Sequence, residues 1–205
     1  MKKYLIIPMA VLFLASCQKP AVKEQELGYL SFEEASLSFD EEVVTKAYSA
    51  APGSYTITIL DSDDKTVYQA YYSEVKNNGD MISLPAGDYT LVAQSDELPV
   101  AAFEQPVYGT SKRFSIQAGE QTFIGELVCT LLQCKVTVAY SDEFLATVTG
   151  ECTTKVELTS GSPLDYKITQ NGTRYTYDQS AGYFAVNGTT MTVMFKGSVE
   201  GKTKS

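Results

Sequence analysis

The sequence predicts an all-β protein, with two tandem β-sandwich domains behind an N-terminal targeting segment. Short apolar strands and turn residues follow one another along most of its length, at the spacing typical of sandwiches. In the stretch 55–60 apolar and polar residues alternate, as they do in a half-buried strand. No long segment has the apolar repeat of a helix. At 205 residues and 44% hydrophobic, the chain can bury a sizeable core.

The N-terminal segment is predicted to be a lipoprotein signal peptide covering residues 1–16. Lys2 and Lys3 precede an apolar run that is too short to cross a bilayer as a helix. The run ends in Leu14-Ala15-Ser16-Cys17, which resembles the bacterial lipobox, so Cys17 is the expected lipid anchor. The alternative is an ordinary secretory signal with a chance cysteine. Residues 17–27 are predicted to be a tether between membrane and folded body.

The first sandwich is predicted over residues 28–131. Its clearest pattern is Ile82 to Ala93, where Pro85 and Gly87 stand between two alternating segments. Proline presets the backbone at the second turn position, and glycine suits a left-handed residue. This pattern predicts a β-hairpin. Upstream, the acidic turn 61–64 joins two further strands and lacks the glycine and glutamate of an EF-hand loop, so we expect no metal there.

The second sandwich is predicted over residues 132–205. Apolar residues change from odd to even positions between Leu131 and Leu132, which indicates a bulge or a domain boundary, and we favour the boundary. Hairpin turns are predicted at 141–144 and at the Asn-Gly pairs 171–172 and 187–188. After the last strand and its turn only four polar residues follow. We therefore expect this sandwich to lack a strand, because the chain is truncated or because a partner supplies it.

Several segments together resemble a lipoprotein domain family of the Bacteroidetes and, more distantly, the fimbrillins, which are pilus subunits and anchors. The segments are 55–61, 82–93, 102–103 with 106–109, and 129–138. The resemblance implies two transthyretin-like or fimbrillin-like sandwiches, an envelope role, envelope or pilus partners and no catalytic site. Fimbrillins mature by cleavage at an arginine, whereas this chain has none before Arg113. Gln18-Lys19-Pro20 replaces the acidic run that exports some such lipoproteins, so an outer-membrane lipoprotein facing either side is expected.

Composition excludes several function classes. The net charge is −9 and only two arginines occur, so no nucleic-acid partner is expected. The chain has no histidine, which removes the imidazole base, the Ser-His or Cys-His pair and the His-containing zinc site. We predict no enzyme and no cofactor. An enzyme using carboxylates alone, as glycosidases do, is the alternative.

The cysteines of the folded body have two interpretations. Cys129, Cys134 and Cys152 lie on the apolar positions of their strands, which favours buried small hydrophobic residues. In an oxidising envelope a disulfide competes with this interpretation. Folding the chain about residues 141–144 would place Cys134 opposite Cys152, so this pair is the possible bridge.

The tyrosines support a second function. There are fourteen of them, and sugars dock on aromatic side chains. The candidate stacking residues are Tyr71, Tyr72, Tyr89 and Tyr108, although tyrosine is also a common packing residue of strands, which we favour. The predicted function is thus a lipid-anchored, non-enzymatic structural or adhesive envelope protein. A glycan-binding lipoprotein is the alternative.

Overall fold

The computed structural model describes residues 26–39, 51–200 and 202–204, so Cys17 and the predicted signal peptide lie outside the described residues. The described part is mostly β-strand, which confirms the all-β prediction. In chain order the elements are β1 (Leu27–Ser31), β2 (Ser36–Phe39), the 3-10 turn Pro52–Ser54, β3 (Thr56–Leu60), β4 (Thr66–Tyr71), α1 (Tyr72–Asn77), β5 (Met81–Pro85), β6 (Gly87–Gln94), β7 (Ala101–Phe103), β8 (Tyr108–Ile116), β9 (Gln121–Phe123), β10 (Glu126–Leu131), β11 (Cys134–Val136), α2 (Asp142–Thr147), β12 (Cys152–Leu158), β13 (Gly161–Asn171), β14 (Arg174–Tyr177), β15 (Gly182–Phe184), β16 (Met191–Val199) and β17 (Lys202–Lys204).

The first sandwich pairs a three-stranded sheet with a six-stranded one. Their strand orders are β5-β1-β9 and β2-β10-β8-β6-β3-β4. Alternating residues of both sheets point into one core, in which Leu30, Ile57 and Leu91 are fully buried. The alternation in the sequence therefore corresponds to one face in the core and one outside.

The second sandwich pairs sheets of three and five strands. Their orders are β11-β15-β7 and β14-β13-β12-β16-β17. Val156, Tyr166 and Phe184 form the centre of its main core cluster. Strand β7, although it precedes the predicted boundary at 131/132, pairs with β15 through Phe103 opposite Gly182. The boundary at 131/132 stays a prediction. In the structure β7, which precedes this boundary in the sequence, already belongs to a sheet of the second sandwich.

The predicted hairpin around Pro85 and Gly87 is wrong. Strand β5 pairs with β1, whereas β6 pairs with β3 and β8, so the connection carries the chain from one sheet to the other. The hydroxyl of Tyr89 donates a hydrogen bond to the Pro85 carbonyl over 2.8 Å. This arrangement matches the tyrosine corner of β-sandwiches. The φ of Gly87 is not positive, so the left-handed turn residue expected there is also absent.

Other predicted connections also differ from the structure. The apolar segment 121–131 forms two strands, because the chain turns at Gly125, whose φ is +64°, and β9 and β10 belong to different sheets. The hairpin at 141–144 is wrong, because Ser141 caps α2 by accepting a hydrogen bond from the Phe144 amide. The Asn187-Gly188 pair joins strands of different sheets. The Asn171-Gly172 hairpin is confirmed by the pairing of β13 with β14.

The expectation that no strand returns after β16 is wrong. Strand β17 pairs with the last three residues of β16, which are Gly197 to Val199. Truncation of the chain, one of the two explanations given for a missing strand, stays a prediction. Among the described residues, no helix has the length and apolar character needed to span a membrane.

Candidate functional site

Three of the four candidate stacking tyrosines are buried packing residues. Tyr72, Tyr89 and Tyr108 are at most 8% exposed, and burial raises the pKa of each phenol. The Tyr72 hydroxyl donates to the Ala35 carbonyl over 2.7 Å. Tyr89 stacks on Phe114, in addition to its bond to the Pro85 carbonyl. None of the three presents a free ring face for a sugar.

Tyr71 differs, since 54% of its surface is exposed and it lines a groove of about 810 Å³. That volume lies within the range of about 300 to 1,000 Å³ that is usual for ligand sites. The groove is lined by Gly53, Ser54, Thr56, Gln69, Tyr71, Ser73, Ser95, Asp96 and Glu97. It is called the Tyr71 groove below.

The strand periodicity explains why Tyr71 faces outward. Along β4, Tyr68 and Ala70 pack against the core, so Gln69 and Tyr71 lie on the opposite face. Tyr71 is directly opposite Thr56 on β3. The end of β4 is fixed where the Tyr71 amide donates to a Glu74 carboxylate oxygen in the first turn of α1, over 3.0 Å. These contacts hold the backbone under the exposed ring.

The loop after β6 forms the acidic rim of the groove. The Gln94 side chain donates to the Asp96 carbonyl, and an Asp96 carboxylate oxygen accepts from the Glu97 amide over 2.8 Å. Ser95 Oγ accepts from the Tyr108 amide over 3.0 Å, which ties the loop to β8. No Lys or Arg is among the described residues that line the groove, so its fixed charges are two carboxylates. The rim was not predicted, because no pattern in the segment after Gln94 indicates that it lies beside β4.

The cysteines occupy separate places in the structure. Cys129, Cys134 and Cys152 are free thiols. Cys134 is opposite Phe184 and Cys152 is opposite Ile168, so the strand pairing proposed for a bridge does not form. Cys129 and Cys152 are buried, as predicted, whereas Cys134 is only half-buried. Burial raises the pKa of the Cys129 thiol to about 11, which keeps it protonated and unreactive at neutral pH.

A second surface feature is the outer edge of β16. Met191 to Lys196 pair with β12 on one side. On their other side no strand pairs with them within residues 26–39, 51–200 and 202–204. Val193 is 62% exposed and Met194 is 44% exposed. This unpaired stretch is called the β16 edge below.

Titratable side chains do not form a metal site in the described ranges. No group of three or more His, Cys, Asp or Glu residues there is close enough to hold an ion.

Comparison with solved structures found distant similarity to proteins of Bacteroides. A candidate adhesin from Bacteroides ovatus aligns at 10% identity and a TM-score of 0.45, covering 83% of this chain and 72% of the other. A candidate polysaccharide-binding protein from Bacteroides thetaiotaomicron aligns at 9% identity and 0.45, covering 86% and 78%. A candidate adhesin from Bacteroides thetaiotaomicron aligns at 8% identity and a TM-score of 0.41, covering 89% of this chain and 80% of the other. At such values the similarity assigns no function to this chain.

Comparison with curated proteins found no significant match. A family profile described as a domain of unknown function, DUF4493, matches residues 26–205. The matched residues include both sandwiches. The chain therefore belongs to the DUF4493 family.

Proposed function

We propose that this chain is a lipid-anchored, non-enzymatic component of the cell envelope with a structural or adhesive role, facing either side of the outer membrane. The β16 edge is the observation that carries the structural role. An unpaired strand edge presents a row of backbone donors and acceptors that can pair with a strand of another chain. The exposed Val193 and Met194 beside this row would be covered by such a strand. We infer that a neighbouring envelope or pilus protein supplies it.

The edge can be tested by photo-crosslinking in the cell that produces the protein. A photoreactive residue replacing Val193 should form adducts with another polypeptide, because the partner strand lies within reach of this side chain. The matched control is the same residue at Val186, which is 42% exposed in the loop after β15. Adducts at position 193 with few at 186 support the proposal. Equal yields, or none at 193, contradict it.

The proposed anchor is Cys17, at the end of the apolar run. Cys17→Ser should abolish incorporation of labelled fatty acid, because the thiol that takes the lipid is removed. Cys134→Ser is the control, since Cys134 is a half-buried free thiol of the folded body and its loss should leave labelling unchanged. Labelling that persists in Cys17→Ser would reject the anchor.

The second candidate function is glycan binding, and the Tyr71 groove is the observation that favours it. The groove combines an exposed aromatic ring with hydroxyl, amide and carboxylate side chains. Sugars present both apolar C–H faces and hydroxyls, so this mixture is suited to them.

A further inference from the structure

We propose that the Tyr71 groove binds an uncharged polysaccharide chain, and that its acidic rim rejects anionic ones. The inference rests on the glycan-binding candidate function and adds its site and ligand class. It is independent of the β16 edge.

The aromatic platform is the first step. More than half of the Tyr71 surface is open to solvent, although Tyr72, the next residue, is almost fully buried. An exposed ring on a groove floor leaves apolar area that a ligand can cover. The C–H groups on one face of a pyranose ring provide a flat apolar surface of matching shape. The Tyr71 ring would therefore stack against one sugar unit.

Unused hydrogen-bonding groups surround the ring. In the described part of the chain, the side chains of Thr56, Gln69 and Ser73 form no hydrogen bond, although each lines the groove. Hydroxyl and amide groups can both donate and accept, as sugar hydroxyls do. Thr56 lies directly opposite Tyr71, and Gln69 is two residues before Tyr71 on the same face. Polar partners therefore stand beside the stacking position.

The acidic rim selects ligands by their charge. Asp96 and Glu97 are exposed carboxylates, and no lysine or arginine lines the groove in the ranges that the structure describes. A uronate or sulfate group placed there would meet like charges without a compensating cation. A neutral sugar can instead donate its hydroxyls to these carboxylates in charge-assisted hydrogen bonds. The groove thus favours neutral polymers.

The position of the groove favours binding of a polysaccharide over binding of a single sugar. It lies on the outer face of the six-stranded sheet, between the 3-10 turn and α1 on one side and the loop after β6 on the other. A polymer can lie across an open surface with only a few units in contact. We therefore expect affinity for long polysaccharides that greatly exceeds affinity for monosaccharides.

The test is affinity gel electrophoresis of the full-length chain, purified in detergent. The gels contain starch, β-glucan, α-mannan or xylan as neutral polymers, and polygalacturonate or chondroitin sulfate as anionic ones. At least one neutral polymer should retard the protein, and Tyr71→Ala should weaken retardation by at least tenfold. Tyr71→Phe should retain it, because the ring and not the hydroxyl stacks. Tyr29→Ala is the control, since Tyr29 is 42% exposed on β1, outside the groove.

Two further variants make each outcome decisive. Gln69→Ala removes an exposed polar side chain of the groove and should weaken retardation severalfold, even if Tyr71→Ala fails to fold. Asp96→Asn with Glu97→Gln should allow binding of an anionic polymer. No retardation by any of the polymers overturns both the inference and the glycan-binding function, whereas retardation of the unsubstituted protein by an anionic polymer alone overturns only the inference. Retardation that survives Tyr71→Ala and Gln69→Ala leaves glycan binding in place and overturns this site.

Discussion

Replacing Tyr166 by alanine should lower the free energy of unfolding of the second sandwich by about 3 to 5 kcal/mol, the range found for large aromatic residues removed from cores. Its side chain is fully buried, and its hydroxyl donates to the Val136 carbonyl over 3.0 Å. Its ring meets that of Phe103 edge-on, with centroids 5.0 Å apart. One residue of β13 thus contacts both β11 and β7. Chemical denaturation followed by circular dichroism measures the loss.

Tyr166→Phe is the matched control for this prediction. It keeps the ring in the core and removes only the hydroxyl, so the expected loss is about 1 kcal/mol, plus the cost of leaving the Val136 carbonyl without this donor. If Tyr166→Ala were no more destabilising than Tyr166→Phe, the ring would not be the contact that joins the two sheets.

Strand positions could be predicted from the sequence, because a strand that is half buried must alternate apolar and polar residues. The stretch 55–60 became β3, and its isoleucines are in the core. The Asn171-Gly172 hairpin was also predictable, since a two-residue turn specifies its own strand partners.

Strand partners were harder to predict, because they depend on residues distant in the sequence. A proline and a glycine between two strands fit both a hairpin and a corner, and the local pattern around Pro85 does not distinguish them. The connection is a corner because β5 pairs with β1 whereas β6 pairs with β3, and these two strands lie in different sheets. Tyr89 was the available signal, since its position four residues after Pro85 allows the bond to the Pro85 carbonyl that fixes the corner.

The site was partly predictable. Tyr71 was one of four candidate tyrosines, but its exposure depends on where β4 ends. Because α1 begins at Tyr72, that residue turns into the core while Tyr71 stays on the outer face of the sheet. The contribution of Asp96 and Glu97 could not be derived, because a loop approaches β4 only when β3 and β6 are paired. The burial of the Cys129 side chain, by contrast, followed from its apolar position.

Gly28→Ala is expected to destabilise the first sandwich by about 3 kcal/mol, at the upper end of the usual cost of overpacking. A Cβ atom on Gly28 would collide with the Gln117 carbonyl oxygen and lie 2.8 Å from Ile116 Cγ2. The closer obstacle is backbone, so it cannot move aside by a rotamer change. Strand β1 would have to shift away from the end of β8, and the pairing of β1 with β9 would weaken.

Gly87→Ala separates this clash from the general effect of adding a methyl group. Its Cβ would meet only the Tyr89 ring, at 3.7 Å or more, and its φ is not positive. We expect a change within about 0.5 kcal/mol. Both variants are compared by urea denaturation and by amide hydrogen exchange, in which Gly28→Ala should lower protection in β1, β5 and β9 most. Equal stability of the two variants would show that β1 and the Gln117 backbone are not packed closely enough for an added Cβ atom to collide.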